Sequence, residues 1–100
     1  MTDQAPSRSL VRVLQALLPQ ARIAILHERP WHSLTFSGAQ ICLSVALPIT
    51  AAEQRSAVAQ LLDDHEFSLP SQLVADIAIT ETAIFDGQYH LIIDALLLED

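Results

Sequence analysis

Lysine is absent from this chain, and five arginines stand against twelve acidic residues, giving a formal net charge of −7 at neutral pH. A protein that grips DNA or RNA neutralises phosphates with a basic stripe. An anionic bilayer surface makes a similar demand. Neither nucleic acid nor membrane is an expected partner. Glycine occurs twice, at Gly38 and Gly87. Phosphate-cradling loops and dinucleotide fingerprints need more glycines than that, and no Gly-x-Ser-x-Gly elbow is present. The single cysteine, Cys42, excludes an internal disulfide. No apolar run approaches the ~20 residues of a membrane-spanning helix. The segment Met1 to Ser7 has neither the charged nor the apolar region of a secretory signal, so the cytoplasm is the expected location.

Apolar side chains, by contrast, are abundant. They make up 51% of the one hundred residues without counting glycine, and mean hydropathy is +0.34. Ordinary domains reach about 45–50% with glycine included. A short chain has much surface for its volume, so the surplus implies apolar surface that one copy leaves in water.

One domain is expected over residues 7–100, after a tail at 1–6. Leu10, Val13, Leu14, Leu17 and Leu18 form an apolar helical stripe opened by Ser7 or Ser9 and stopped by Pro19. Three strands are read next. Ala21, Ile23, Ile25 and His27 share the inward face of the first, His32, Leu34 and Phe36 that of the second, and Ile41, Leu43, Val45 and Leu47 that of the third. A loop Glu28-Arg29-Pro30-Trp31 and a turn at Ser37-Gly38 connect them. Thr50-Ala51-Ala52-Glu53 matches a capping box, in which Thr50 and Glu53 satisfy each other's backbone amides at the start of a second helix.

The last third reads as a hairpin around Asp86-Gly87. A three-residue loop, Phe85-Asp86-Gly87, sets Ile79 opposite Ile93, Ile77 opposite Ala95 and Val74 opposite Leu98. A two-residue loop sets Ile79 against Asp94 and mixes the faces. The three-residue loop is therefore expected. Leu91-Ile92-Ile93 and Ala95-Leu96-Leu97-Leu98 are apolar on both sides, which suits an interior strand. The predicted fold is a two-layer α+β domain of order α-β-β-β-α-β-β, with two helices on one face of a five-stranded, mainly antiparallel sheet.

Candidate chemistry is sparse. In this register His27 and His32 face each other across two strands, about 5 Å apart at Cβ, and are the weak candidates for a metal site. Zinc wants two more ligands, which local sequence does not supply. Two histidines closing the rim of a core is the plainer reading. Asp76 and Asp94 fall as diagonal neighbours roughly 7–8 Å apart, the spacing at which carboxylates shift each other's proton affinity. His90 lies about 13 Å along the strand from Asp94, beyond the reach of a dyad. A solvated sheet face explains these residues more simply. Cys42 is expected to behave as a small apolar residue. No catalytic residue and no cofactor are expected.

The leading expectation is a protein-interaction or assembly module, homodimeric through an outer sheet face that carries Val74, Ile92, Leu96 and Leu98. The alternative is a small-molecule binder with a pocket framed by Trp31, Tyr89 or Phe85 at a sheet end or oligomer interface. A third is a metal-dependent or acid/base enzyme built on His27 and His32 or on Asp76 and Asp94.

Overall fold

The computed structural model of the chain describes residues 6–48 and 72–99. Helix α1 (Pro6–Leu17) precedes four strands: β1 (Arg22–His32), β2 (Ser37–Pro48), β3 (Gln72–Phe85) and β4 (Gln88–Glu99). Pro6 stands in the first turn of α1, where a missing N–H costs nothing. The stripe behaves as its spacing dictates, with Leu10, Leu14 and Leu18 buried. Beyond Pro19 the chain reverses, and the Gln15 amide holds the turn. Its Nε2 donates to the Leu18 carbonyl at 3.2 Å and to that of Ala21 at 2.8 Å.

The strands form one antiparallel sheet of order β1-β2-β4-β3. Its inner face carries Ile41, Leu43, Val45 and Leu47 of β2 and Tyr89, Leu91, Ile93, Ala95 and Leu97 of β4, all buried in one cluster with the α1 leucines. β4, apolar on both faces, does take an interior place.

Among the described residues there are four strands and one helix, not five strands and two helices. The expected second helix, with the Thr50 and Glu53 capping box, lies outside the described residues, as do residues 1–5 of the expected tail at 1–6, whose last residue, Pro6, belongs to α1. The lost strand has a clear cause. Glu28, Arg29 and Pro30 do not leave the sheet but continue β1, an edge strand where proline's missing donor faces no partner. The reversal comes later, over Ser33 to Phe36. The Ser33 hydroxyl accepts from the amides of Thr35 and Phe36 at 3.4 and 3.0 Å, and the Ser33 amide donates to the Phe36 carbonyl at 2.8 Å. Such a local serine turn competes with strand pairing. Leu34 is consequently fully exposed rather than inward, and Ser37 and Gly38 belong to β2.

The hairpin loop also differs. Phe85 pairs with Gln88, so the loop is the two residues Asp86 and Gly87, both at positive φ (53° and 70°). That is the signature of the type I′ turn that Asp-Gly favours. The predicted pairings Ile79–Ile93 and Ile77–Ala95 nevertheless hold. A bulge between Ile79 and Glu81 adds one residue, Thr80, and restores the register that the short turn displaces. The Thr80 hydroxyl donates to the Ile92 carbonyl at 3.4 Å. A second bulge, at Ala75, pairs Val74 with Leu97 rather than Leu98. Val74 packs against the core and is not part of the outer face.

Candidate functional site

A third bulge decides what the outer face contains. In β1 the register shifts between Ile25 and His27, leaving Leu26 as the extra residue. Ile25 faces inward opposite Leu43, but His27 sits opposite Cys42, on the outer side. Glu28 turns inward opposite Ile41, where its Oε1 accepts a 2.6 Å hydrogen bond from the buried Ser7 hydroxyl. His27 and His32 are therefore not opposed across two strands. They lie on one strand, on opposite sides of the sheet, about 16 Å apart at the usual rise.

The outer face forms rows across the sheet. One row runs His27, Cys42, Asp94, Ala78. On one side of it lies Arg29, Gln40, Leu96, Asp76, then Trp31, Gly38, Leu98, Leu73. On the other lies Ala24, Ser44, Ile92, Glu81, then Arg22, Ala46, His90, Ala83. Three of the four residues expected at an interface, Ile92, Leu96 and Leu98, do share this face and are partly exposed. Leu73 and Phe85 add exposed apolar surface at 53% and 54%. Asp76 and Asp94 stay diagonal neighbours. No described element lies over any of these rows.

Cys42 occupies the middle of the face and is 8% exposed. Burial among neighbouring side chains pushes its thiol pKa up. A hydrogen bond to the Asp94 carboxylate and the negative charges of Asp94 and Glu81 push it further the same way. This is the reverse of an activated nucleophile, which needs a cationic neighbour. Cys42 should react with iodoacetamide at pH 8 more slowly than a free thiol. Asp94→Asn should speed it, because the carboxylate charge that favours the protonated thiol is gone. A wild-type rate equal to that of an unstructured cysteine peptide would contradict this account.

His90 lies flat on Phe85, with ring centroids 3.9 Å apart and planes within 6°. Its Nε2 is buried without a hydrogen-bond partner. The three aromatics expected to frame a pocket do not converge. Tyr89 is on the inner face at 2% exposure, while Trp31 and Phe85 stand at opposite ends of the outer face. An open groove of about 540 Å³ runs instead between α1 and β1, lined by Arg8, Val11, Arg12, Gln15, Ala16 and Ile25.

Charge is segregated across the sheet. All four arginines among the described residues (Arg8, Arg12, Arg22 and Arg29) lie on α1 and β1. Of the acidic residues there, Asp76, Glu81, Asp86, Asp94 and Glu99 lie on β3, β4 or their turn, and only Glu28 lies on the basic side. Arg29 and Asp76 are both exposed and form no ion pair among the described residues.

No group of three or more histidine, cysteine or acidic side chains among the described residues is placed to hold a metal ion. No described helix is long and apolar enough to cross a membrane. No protein-family model, curated protein or solved structure matches the chain. The bulges at Leu26, Ala75 and Thr80 put His27 and Arg29 on the outer face and remove Val74 from it. No residue type in the sequence marks those positions.

Proposed function

We propose that this protein is an interaction and assembly module whose outer sheet face packs against a second copy of the chain. The observation that carries the reading is the face itself. Ile92, Leu96 and Leu98 project from an interior strand, Leu73 and Phe85 flank them, and no described element shields them. Monomers seldom leave contiguous apolar patches larger than roughly 300–600 Å² in water. Two-fold homodimers are the commonest way of covering one. The edges of the sheet suit association less. β1 carries Pro30 and a bulge, and β3 carries two bulges, devices that hinder edge-to-edge pairing.

Sedimentation velocity at high micromolar concentration tests the reading. Wild type is expected as a dimer and Leu96→Glu as a monomer, since the new carboxylate would be desolvated in that contact between Asp94 on its own strand and Asp76 across from it. Leu96→Ser is the milder companion and should weaken association while retaining the wild-type circular dichroism spectrum. A wild type that is monomeric throughout this range overturns the proposal.

A further inference from the structure

We infer that the two copies are related by a two-fold axis running parallel to the strands, so that β4 of each copy covers β2 of the other and β1 covers β3. This rests on the face-to-face dimer proposed above and specifies its geometry. An axis lying between two such faces has two simple settings. Along the strands, it reverses the strand order, and β1-β2-β4-β3 lies over the partner's β3-β4-β2-β1. Across the strands, it lays every strand over its own copy.

Side-chain size separates the two settings. The outer residues of β2 are mostly small: Gly38, Cys42, Ser44 and Ala46, with Gln40 among them. Those of β4 are mostly large: Leu98, Leu96, Ile92 and His90, with Asp94 at the middle. Packed sheets sit about 10 Å apart, with side chains interdigitating between them. Large over small fills that gap evenly across both central strands. Large over large holds the sheets apart at β4 and leaves a void over β2. Gly38 is a permanent hollow, because a Cβ there would overlap the backbone of Leu97.

Charge selects the same setting independently. An axis along the strands keeps each row over its own copy with the ends exchanged. Arg29, at one end of its row, meets the partner's Asp76 at the other, and the pairing occurs twice by symmetry. Aligned sheets rotate about 30° relative to each other, a displacement that the long arginine side chain spans. Asp94 comes to lie over the partner's Cys42. An axis across the strands sets the arginine-bearing edge over its own copy, the acidic edge likewise, and β4 with its Asp94 over β4. Like charges are then apposed in a contact that excludes water.

Charge exchange tests the orientation. Arg29→Asp and Asp76→Arg are exposed substitutions, and each alone turns two attractions into two repulsions. Each variant is expected to self-associate at least about tenfold more weakly than wild type at low salt. Mixing the two variants should recover assembly to near the wild-type level, since the mixed dimer holds two opposite-charge pairs, one with its signs exchanged and one as in wild type, and the recovery should fade in molar salt. Single variants that dimerise as tightly as wild type overturn this orientation, as does a mixture no tighter than its components. If Leu96→Glu is monomeric in that case, the face-to-face dimer stands without the proposed axis. A monomeric wild type removes both.

Discussion

Replacing Ile93 by alanine is expected to lower the unfolding free energy by about 3–5 kcal/mol. Ile93 is fully buried, midway along an interior strand, between Leu43 of β2 and Ile79 of β3. Three methylene-sized groups are lost, and a cavity remains where strands on both sides prevent collapse. Ile79 is its cross-strand neighbour but lies on an edge strand and is only half-buried. Ile79→Ala should cost about 1–2 kcal/mol, as water and neighbouring side chains take up part of the space. Urea unfolding of both variants measures the difference. Equal losses at the two sites would place the core elsewhere.

Gly38→Ala is expected to cost about 3 kcal/mol or more, far beyond the ordinary glycine-to-alanine change in a strand. A Cβ built at position 38 falls 1.9 Å from the Leu97 carbonyl oxygen and 2.9 Å from the Leu98 Cα. Both obstacles are backbone, so no rotamer change relieves the overlap. β2 must separate from β4 at the pair that joins the two halves of the sheet. Amide exchange should quicken around Leu97 and Leu98 while the far end of the same pairing, near Leu47 and Tyr89, stays protected. A variant as stable as wild type would show that the strands do not approach so closely. Gly87, at φ 70° with open space around it, offers a contrast. Its constraint is the left-handed backbone of the turn and not a neighbour.

Where the hydrophobic pattern dominates, the fold is legible in the residues themselves. The α1 stripe, the inward sets of β2 and β4 and the Ile79–Ile93 pairing all follow from burying apolar side chains at a fixed period. Details set by competition between two local preferences are not legible. Asp86-Gly87 favours a two-residue turn, the apolar faces of β3 and β4 require a register one residue different, and a bulge at Thr80 accommodates both. A bulge accepts many residue types, so no sequence signal announces it. Similarly, Glu28-Arg29-Pro30 resembles a loop until β1 is known to be an edge strand, where proline is tolerated. The same logic governs the outer face. Ile92, Leu96 and Leu98 are readable by parity along β4. Val74, His27 and Arg29 each lie beyond a bulge from the residues that set the frame, so parity alone puts them on the wrong side of the sheet or in a loop.

The strand order has a kinetic consequence. β1–β2 and β3–β4 are hairpins whose partners lie close in sequence, and each forms through a short loop. The β2–β4 pairing that unites them joins Gly38 to Leu98 and must close a much longer loop, with correspondingly greater entropy loss. A two-stranded hairpin is at best marginally stable alone in water. Neither half therefore persists until the other arrives, and the long-range meeting of β2 with β4 governs the rate. Chains dominated by such non-local contacts fold in milliseconds to seconds rather than microseconds. During that interval the most apolar strand of the molecule, β4, has one edge open to any neighbour.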